Sequence, residues 1–364
     1  MKKILVVTKD LQVHGITKVI LNYFNNSTIN DVAFDFAAGD PINDNVRKAI
    51  CDKGGRVFEL ENKDASKLSY YFGLAKIMRQ NKYQILHVHG NSTLIEIELL
   101  LGKIYGIKKR IAHCHNTSCE HVVLHKKMYP IFMRLYTIGL ACSKEAGVWM
   151  FRERPFTVLN NGIEIANFRF SQSYRDTIRS KLAYSDNDYV IGHVGMFNAQ
   201  KNHTFLIRVF KEIVEKDRNV KLILVGEGPL KNEIQDQVKK IGISENVIFY
   251  GITDNVSEIL SAIDSFAFPS LFEGLGIALI EAQVSGIPCY VSDRVPRLAE
   301  VTDHIEFLPI DTSEDIKKWA ESILKKVKYE DRFNSIDISN IRLRDYDIKL
   351  QSSRLMSIYK ELLK

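Results

Sequence analysis

Two carboxylates eight residues apart, Glu273 and Glu281, flank a Gly274-Leu275-Gly276 turn, and a helical pattern begins at Ile277. A helix turns about 100° per residue, so eight steps return to nearly the same face two turns on. With Gly276 at the helix start, Glu281 stands about a turn and a half inside it and Glu273 lies in the loop before it. Glycine lets backbone N–H groups approach a ligand closely, and a helix N-terminus favours a diphosphate. Such a site suits a nucleoside diphosphate-sugar, with one carboxylate for ribose hydroxyls, one for sugar hydroxyls, and N–H groups between them. Spacing alone favours a solvated helix face behind a capping loop over such a site.

Further residues fit the same chemistry. Lys201 closes the loop Gly195-Met196-Phe197-Asn198-Ala199-Gln200-Lys201 after a buried strand pattern. A cation there would meet the charge that grows on a departing diphosphate, at the strand ends where α/β sheets bind ligands. Gly226 and Gly228 mark a second strand-to-helix turn, and Gly15 a third, near the N-terminus. Histidines gather at strand ends, His87 with His89 and His113 with His115, and alternation puts each pair on one strand face. A zinc site competes for His113, Cys114, His115, Cys119, His121 and His125. Against it, no Cys-x2-Cys pair occurs, and the first three alternate faces of a strand.

Short apolar runs alternate with helical patterns throughout, the signature of an α/β protein with parallel sheets covered by helices. Strands are expected at Ile4–Val7, Val32–Ala37, Arg56–Leu60, Ile85–His89, Arg110–His113, Thr137–Cys142 and Phe156–Leu159. In the second half they fall at Tyr189–Val194, Lys221–Val225, Val247–Tyr250, Ser265–Phe268, Pro288–Val291 and Ile305–Leu308. Helical patterns include Ile16–Phe24, Leu68–Gln80, Leu94–Tyr105, Met128–Tyr136, His203–Glu215 and Ile277–Ser285. The rhythm gives a first domain over 1–168, a second over 169–346 with the joint in Asn167–Asp188, and a terminal helix in 347–364.

The run Phe268-Pro269-Ser270-Leu271-Phe272-Glu273-Gly274-Leu275-Gly276, with Gly286-Ile287-Pro288-Cys289-Tyr290-Val291-Ser292-Asp293 after the helix, resembles the donor-site signature of retaining family-4 glycosyltransferases. It looks most like the branch from Gram-positive capsule and exopolysaccharide clusters. That resemblance implies the GT-B fold: two Rossmann-like domains facing across a cleft, with the C-terminal helix returned to the first. It implies transfer of a hexose, with retention, from a nucleotide-sugar, most often UDP-linked, to a saccharide or polyprenyl-diphosphate-linked acceptor. The donor would be lined by Gly15, Gly195, Gly226, Gly228, Ile252, Gly274, Leu275, Gly276 and Ile277. Glu281 would hold the ribose, Glu273 the sugar hydroxyls, Lys201 the diphosphate, and His115 the transferred sugar. No metal or other cofactor is expected. Asn161-Gly162-Ile163-Glu164 matches the family's interdomain motif. The chain departs from the pattern at Met196, where relatives carry an arginine on the phosphates, and at His14 and Thr17 in the N-terminal turn. A sugar-nucleotide epimerase of the same architecture, or a binding protein that has lost catalysis, are the alternatives.

Composition sets the outer limits. A chain of 364 residues is long for one core and suggests two domains. A net charge of +6 falls short of a nucleic-acid binder's balance. Five cysteines without a disulfide rhythm point to a reducing cytoplasm. No run approaches the roughly 20 apolar residues of a spanning helix. Lys103, Lys108, Lys109, Arg110, Lys126 and Lys127 face only Glu120 in charge, beside apolar Leu99–Leu101, Ile104, Tyr105 and Ile107. This segment could attract an anionic membrane surface and hold the protein peripherally on the inner face of the plasma membrane. Alternatively, its apolar residues face the first domain's core.

Overall fold

The computed structural model describes residues 2–12, 15–27, 32–39, 41–327, 332, 336 and 341–364. Val13 and His14, part of the N-terminal turn, lie outside the described residues. The chain divides into two compact units, 1–163 with 345–364, and 164–344.

The first unit is built on seven parallel strands: β1 (Lys2–Thr8), β2 (Val32–Gly39), β3 (Arg56–Leu60), β4 (Ile85–His89), β5 (Lys109–Cys114), β6 (Ile138–Ala141) and β7 (Thr157–Val158), in the order 3-2-1-4-5-6-7. All five residues of β4 are buried, because helices cover both sheet faces. One face packs Leu5, Val7, Leu86, Val88, Ala112 and Cys114 against Tyr70, Leu74, Leu99 and Met150. The strand period of two therefore turns His87, His89 and His113 to the other face. There the final helix, Ile348–Leu362, lies against the helix Gly15–Asn25, and its Ser352 hydroxyl donates to the Tyr23 and Asn26 carbonyls. Gly162 lets the chain pass close to that helix: a Cβ there would stand 2.7 Å from the Ile348 Cα.

The second unit carries six parallel strands: β8 (Tyr189–Val194), β9 (Val220–Val225), β10 (Val247–Gly251), β11 (Ser265–Phe268), β12 (Cys289–Ser292) and β13 (Ile305–Leu308), in the order 10-9-8-11-12-13. Its core joins Ile191, Leu222, Leu224 and Ala267 to Phe205, Phe210 and Trp319 from helices. The strand order reverses between β8 and β11, the place where open α/β sheets offer a crevice at their carboxyl ends.

Helices depart more from expectation than strands. The pattern assigned to Met128–Tyr136 is a helix over Val122–Phe132, after which Arg110 Nε donates to the Leu135 carbonyl at 2.6 Å and holds the chain in a turn. Helices Asp44–Asp52, Lys144–Phe151 and Gln172–Lys181 lie outside the expected helical patterns, the last within the expected joint. Each does have a side-chain N-cap, Asn43, Ser143 and Ser171 respectively, which is the signal that would have found it.

Candidate active site

In the second unit, three loops meet at the ends of β8, β9 and β11. Asn198 caps the turn Ala199–Lys201 by accepting from the Lys201 N–H at 3.1 Å. Asn202 donates to the Pro269 carbonyl at 3.2 Å, the Leu271 N–H to the Gln200 carbonyl at 2.8 Å, and Gln200 Nε2 to the Phe272 carbonyl at 2.9 Å. These bonds bring Lys201 to Glu273, whose Oε1 accepts from Nζ at 2.6 Å. Both partners are largely buried, and the ammonium sits 4.6 Å over the Phe268 ring. Removing one member of a buried pair costs about 3–5 kcal/mol, because the other charge is left without its partner.

Gly226 and Gly228 answer a steric demand. A Cβ on Gly226 would stand 2.1 Å from the Gly195 oxygen, and one on Gly228 would stand 2.5 Å from the Phe197 oxygen. Both glycines also adopt positive φ, 139° and 157°. They let the turn after β9 lie directly on the Gly195–Phe197 loop, which accounts for their type without any ligand.

Gly276, at φ 80°, starts the helix Ile277–Val284 with no side-chain cap. Glu281 is the fifth residue of that helix and is buried, as are Glu273 and Leu275. Sequence spacing gives no reason to single out His193 and His203, yet both lie buried beside this loop system. His193 Nδ1 meets the Ala267 carbonyl at 2.8 Å, and burial pushes its ring down to about 4 and the His203 ring to about 2.

The first unit holds a stack of four buried imidazoles. His87 Nε2 lies 3.1 Å from His113 Nδ1, and His89 Nδ1 lies 2.8 Å from His115 Nε2. The ring planes within these pairs differ by only 13° and 14°. The pairs stack on each other, His87 on His89 and His113 on His115, each at 4.2 Å. Tyr359 from the final helix closes one end, its hydroxyl 2.6 Å from His87 Nδ1. Asn161 Oδ1 closes the other, 3.1 Å from His115 Nδ1. Burial lowers the basicity of all four rings, that of His115 to about 4, so the stack is neutral at pH 7.

Nitrogens of His87, His89 and His113 lie within 4.8 Å of one another, a grouping that a zinc ion could gather. The ring orientations serve hydrogen bonding instead. Nearly coplanar pairs aim their nitrogens at each other, whereas a metal needs lone pairs converging on one point about 2 Å away. Of the sequence-derived zinc set, only His113 and His115 belong to the stack. His125 stacks on Trp149 at 4.3 Å and accepts from the Thr93 N–H at 3.1 Å. Gly15 opens its helix with nothing within 4 Å of the position a Cβ would take.

Residues 174–337 match the model for glycosyl transferases group 1. The second unit is a glycosyl transferases group 1 domain. Among relatives, Bacillus subtilis EpsF is 27% identical, over 98% of this chain and 96% of its own. A 27% identical Escherichia coli protein, named UDP-Gal:alpha-D-GlcNAc-diphosphoundecaprenol alpha-1,3-galactosyltransferase, matches over 70% of this chain and 68% of its own. Anabaena HepE, solved with UDP and glucose, superposes with a TM-score of 0.80 at 16% identity, covering 99% of this chain and all of that one. The fold is GT-B, and the chain is a glycosyltransferase.

Within this glycosyltransferase, Lys201, Glu273, Gly195, Gly226, Gly228, Gly274, Leu275, Gly276, Ile277 and Glu281 belong to the second unit, together with Ile252, which is 61% exposed beside the Gly226–Gly251 contact. Gly15 and His115 belong to the first unit. Met196 is 39% exposed at the start of the Lys201 loop and offers no guanidinium at that position.

Proposed function

We propose that this glycosyltransferase transfers a hexose from a UDP-sugar, with retention and without a metal, to a lipid-linked saccharide in the synthesis of a surface glycan. The observation that carries this is the Lys201–Glu273 pair, held at 2.6 Å ahead of a helix with no side-chain cap and with Glu281 buried inside it. Without donor, the ammonium is neutralised by Glu273. A diphosphate arriving at Gly276 competes for Lys201, and Glu273 is then available to sugar hydroxyls. The ammonium and the helix N-terminus meet the charge that a metal would otherwise stabilise. Attack comes from the face the diphosphate leaves, and the leaving oxygen helps to take the acceptor's proton. The uridine choice is supported by HepE's complex and the lipid-linked acceptor by the Escherichia coli relative's name. The test is a transfer assay with UDP-sugars and a polyprenyl-diphosphate-linked sugar in EDTA, with the product's anomeric configuration read by NMR. Activity that vanishes in EDTA and returns with manganese or magnesium would sink the metal-free mechanism.

The two carboxylates separate in this scheme. Ribose contacts act in ground and transition states alike, whereas sugar positioning matters most during reaction. Glu281→Gln is therefore expected to weaken UDP binding about tenfold, and Glu273→Gln to lower kcat with UDP binding changed less than threefold. Equal losses of UDP binding in both variants would contradict the assignment.

A lipid-linked acceptor requires the cytoplasmic enzyme to work at a membrane surface, and no described helix is long and apolar enough to cross one. Part of the basic segment belongs to the interior: Leu99 and Ile107 are buried, and Arg110 donates to the Leu135, Ile107 and Lys108 carbonyls. Leu100, Ile104, Tyr105 and Val123 are exposed, together with Lys103, Lys108, Lys109, Lys126 and Lys127. This face would dock on anionic lipid by charge and shallow insertion. Binding to anionic but not neutral vesicles, weakening with salt, is the expected result of co-sedimentation. Unchanged binding after Lys103, Lys108 and Lys109 are replaced by Ser would exclude this face as the anchor.

A further inference from the structure

The second unit holds a cavity of about 170 Å³, far above the roughly 10–15 Å³ that admits one water. Its walls include Phe170, Arg175, Asp264, Pro288, Val327 and Arg332, all within that unit. Asp264 and Pro288 each stand one residue before a strand, β11 and β12, so the cavity lies at the amino edge of the sheet. Lys201 and Glu273 follow the carboxyl ends of β8 and β11, at the opposite edge.

Arginine dominates the polar groups. Asp264 Oδ1 accepts from Arg175 Nη2 at 2.6 Å, and Oδ2 accepts from Arg179 Nη1 at 3.2 Å and the Val190 N–H at 2.8 Å. One carboxylate is thus shared by two guanidinium groups. Arg332 lies 4.3 Å from the Phe170 ring and donates to the Leu260, Ser261, Ile263 and Ser285 carbonyls. These carbonyls close the helices Val256–Ala262 and Ile277–Val284, so the cation is fixed by helix ends. Burial, and after it the charge of Arg175, pushes the Arg332 guanidinium down to about 9. Arg175 directs Nη1 to the Ser261, Ala262 and Ile263 carbonyls. Its Nη2 donates to Asp264 alone, and no described residue accepts from its Nε–H.

We propose that this cavity binds a phosphate group, free or carried on a small organic molecule. Arg175 supplies the Nε–H and the second Nη2–H, two donors of a planar fork suited to an oxyanion. Arg332 adds its charge from the same wall, and Asp264 repels little because Arg175 and Arg179 both answer it. Phe170, Pro288 and Val327 offer apolar surface to a carbon skeleton. The helix that carries Glu281 ends at this cavity, where Ser285 meets Arg332, so a ligand here would bear on the far end of that helix. The site is separate from the Lys201–Glu273 pair, and its chemistry does not depend on the UDP-sugar reading.

Calorimetric titration of inorganic phosphate and of phenyl phosphate into the full chain tests it. Saturable binding of both is expected. Tighter binding of phenyl phosphate assigns the site to organic phosphates, and equal or weaker binding assigns it to the free ion. Val327 is 38% exposed at the cavity, so its charge can be changed without disturbing a core. Val327→Glu should weaken binding about fivefold and Val327→Lys should tighten it about threefold, both with the parent melting temperature. In Lys201→Ala the affinity should stay within about twofold. Loss of binding in Lys201→Ala would move the anion to the candidate donor site and overturn the proposal. Absence of saturable binding, or equal affinity in both Val327 variants, would overturn it as well.

Discussion

Replacing Lys201 with Ala is expected to lower kcat roughly 100-fold, a loss of about 3 kcal/mol in transition-state stabilisation, comparable to removing one preorganised donor from a developing oxyanion. The effect should be large here because Met196 stands where the resemblance implies an arginine, so in the proposed mechanism Lys201 would meet the diphosphate without a guanidinium from that position. Charge on the leaving oxygens grows as the sugar bond breaks, which places the loss in kcat more than in UDP affinity. Glu273 also loses its partner at 2.6 Å, so thermal melts of the variant must accompany the initial rates. A variant that folds and turns over at the parent rate would remove Lys201 from the mechanism.

The second large effect is acid lability of the first unit. Its four stacked histidines are neutral when folded, with basicity lowered by burial, while the unfolded chain takes protons near the ordinary histidine value of about 6.5. The unfolded state therefore binds more protons at acid pH. Stability is fully present above about pH 6.5 and is lost as pH falls below it, towards the folded values. Each ring that stays neutral contributes about 1.4 kcal/mol per pH unit below the unfolded value, so the four together make the first unit steeply acid-labile. The second unit contains His193 and His203, pushed to about 4 and about 2, with His304 also lowered by burial, while the first unit adds a lowered His125 to its stack and should lose more. Glu96, raised by burial, works in the opposite direction but is a single carboxyl. Each unit has one tryptophan, Trp149 and Trp319, so fluorescence of the Trp→Phe variants in urea reads the units separately. Equal midpoints for the first unit at pH 7.5 and 5.5 would contradict neutral burial of the stack.

The strands were legible because parallel sheets covered on both faces write themselves as short apolar runs. Arg56–Leu60, Ile85–His89, Tyr189–Val194 and Ser265–Phe268 coincide with the structure at both ends. Short polar helices were not, since Gln172–Lys181 buries only Ile178 and Arg179 and shows little apolar stripe. In the candidate site, chain-local features could be read: the glycine turn, the helix behind it and the shared faces of the histidine pairs. Features that join distant segments could not. Lys201 and Glu273 lie 72 positions apart, and nothing local indicates that each neutralises the other. Alternation placed His89 with His87 and His115 with His113, but the pairing of His89 across to His115 depends on the register of β4 with β5, in which His89 stands opposite His113. Gly226 and Gly228 also meet a steric demand of the Gly195–Phe197 loop, a contact between distant segments that the sequence does not display.

The central claim is that the second unit binds a uridine diphosphate-sugar between Lys201 and Glu281, and calorimetric titration of UDP into the full chain and its Glu281→Gln variant, in EDTA, tests it most directly. The account predicts saturable one-to-one binding without metal that raises stability by about 2.7 kcal/mol at 100 times Kd, and about tenfold weaker binding in the variant. Absence of UDP binding in EDTA, or equal affinity in parent and variant, would contradict it.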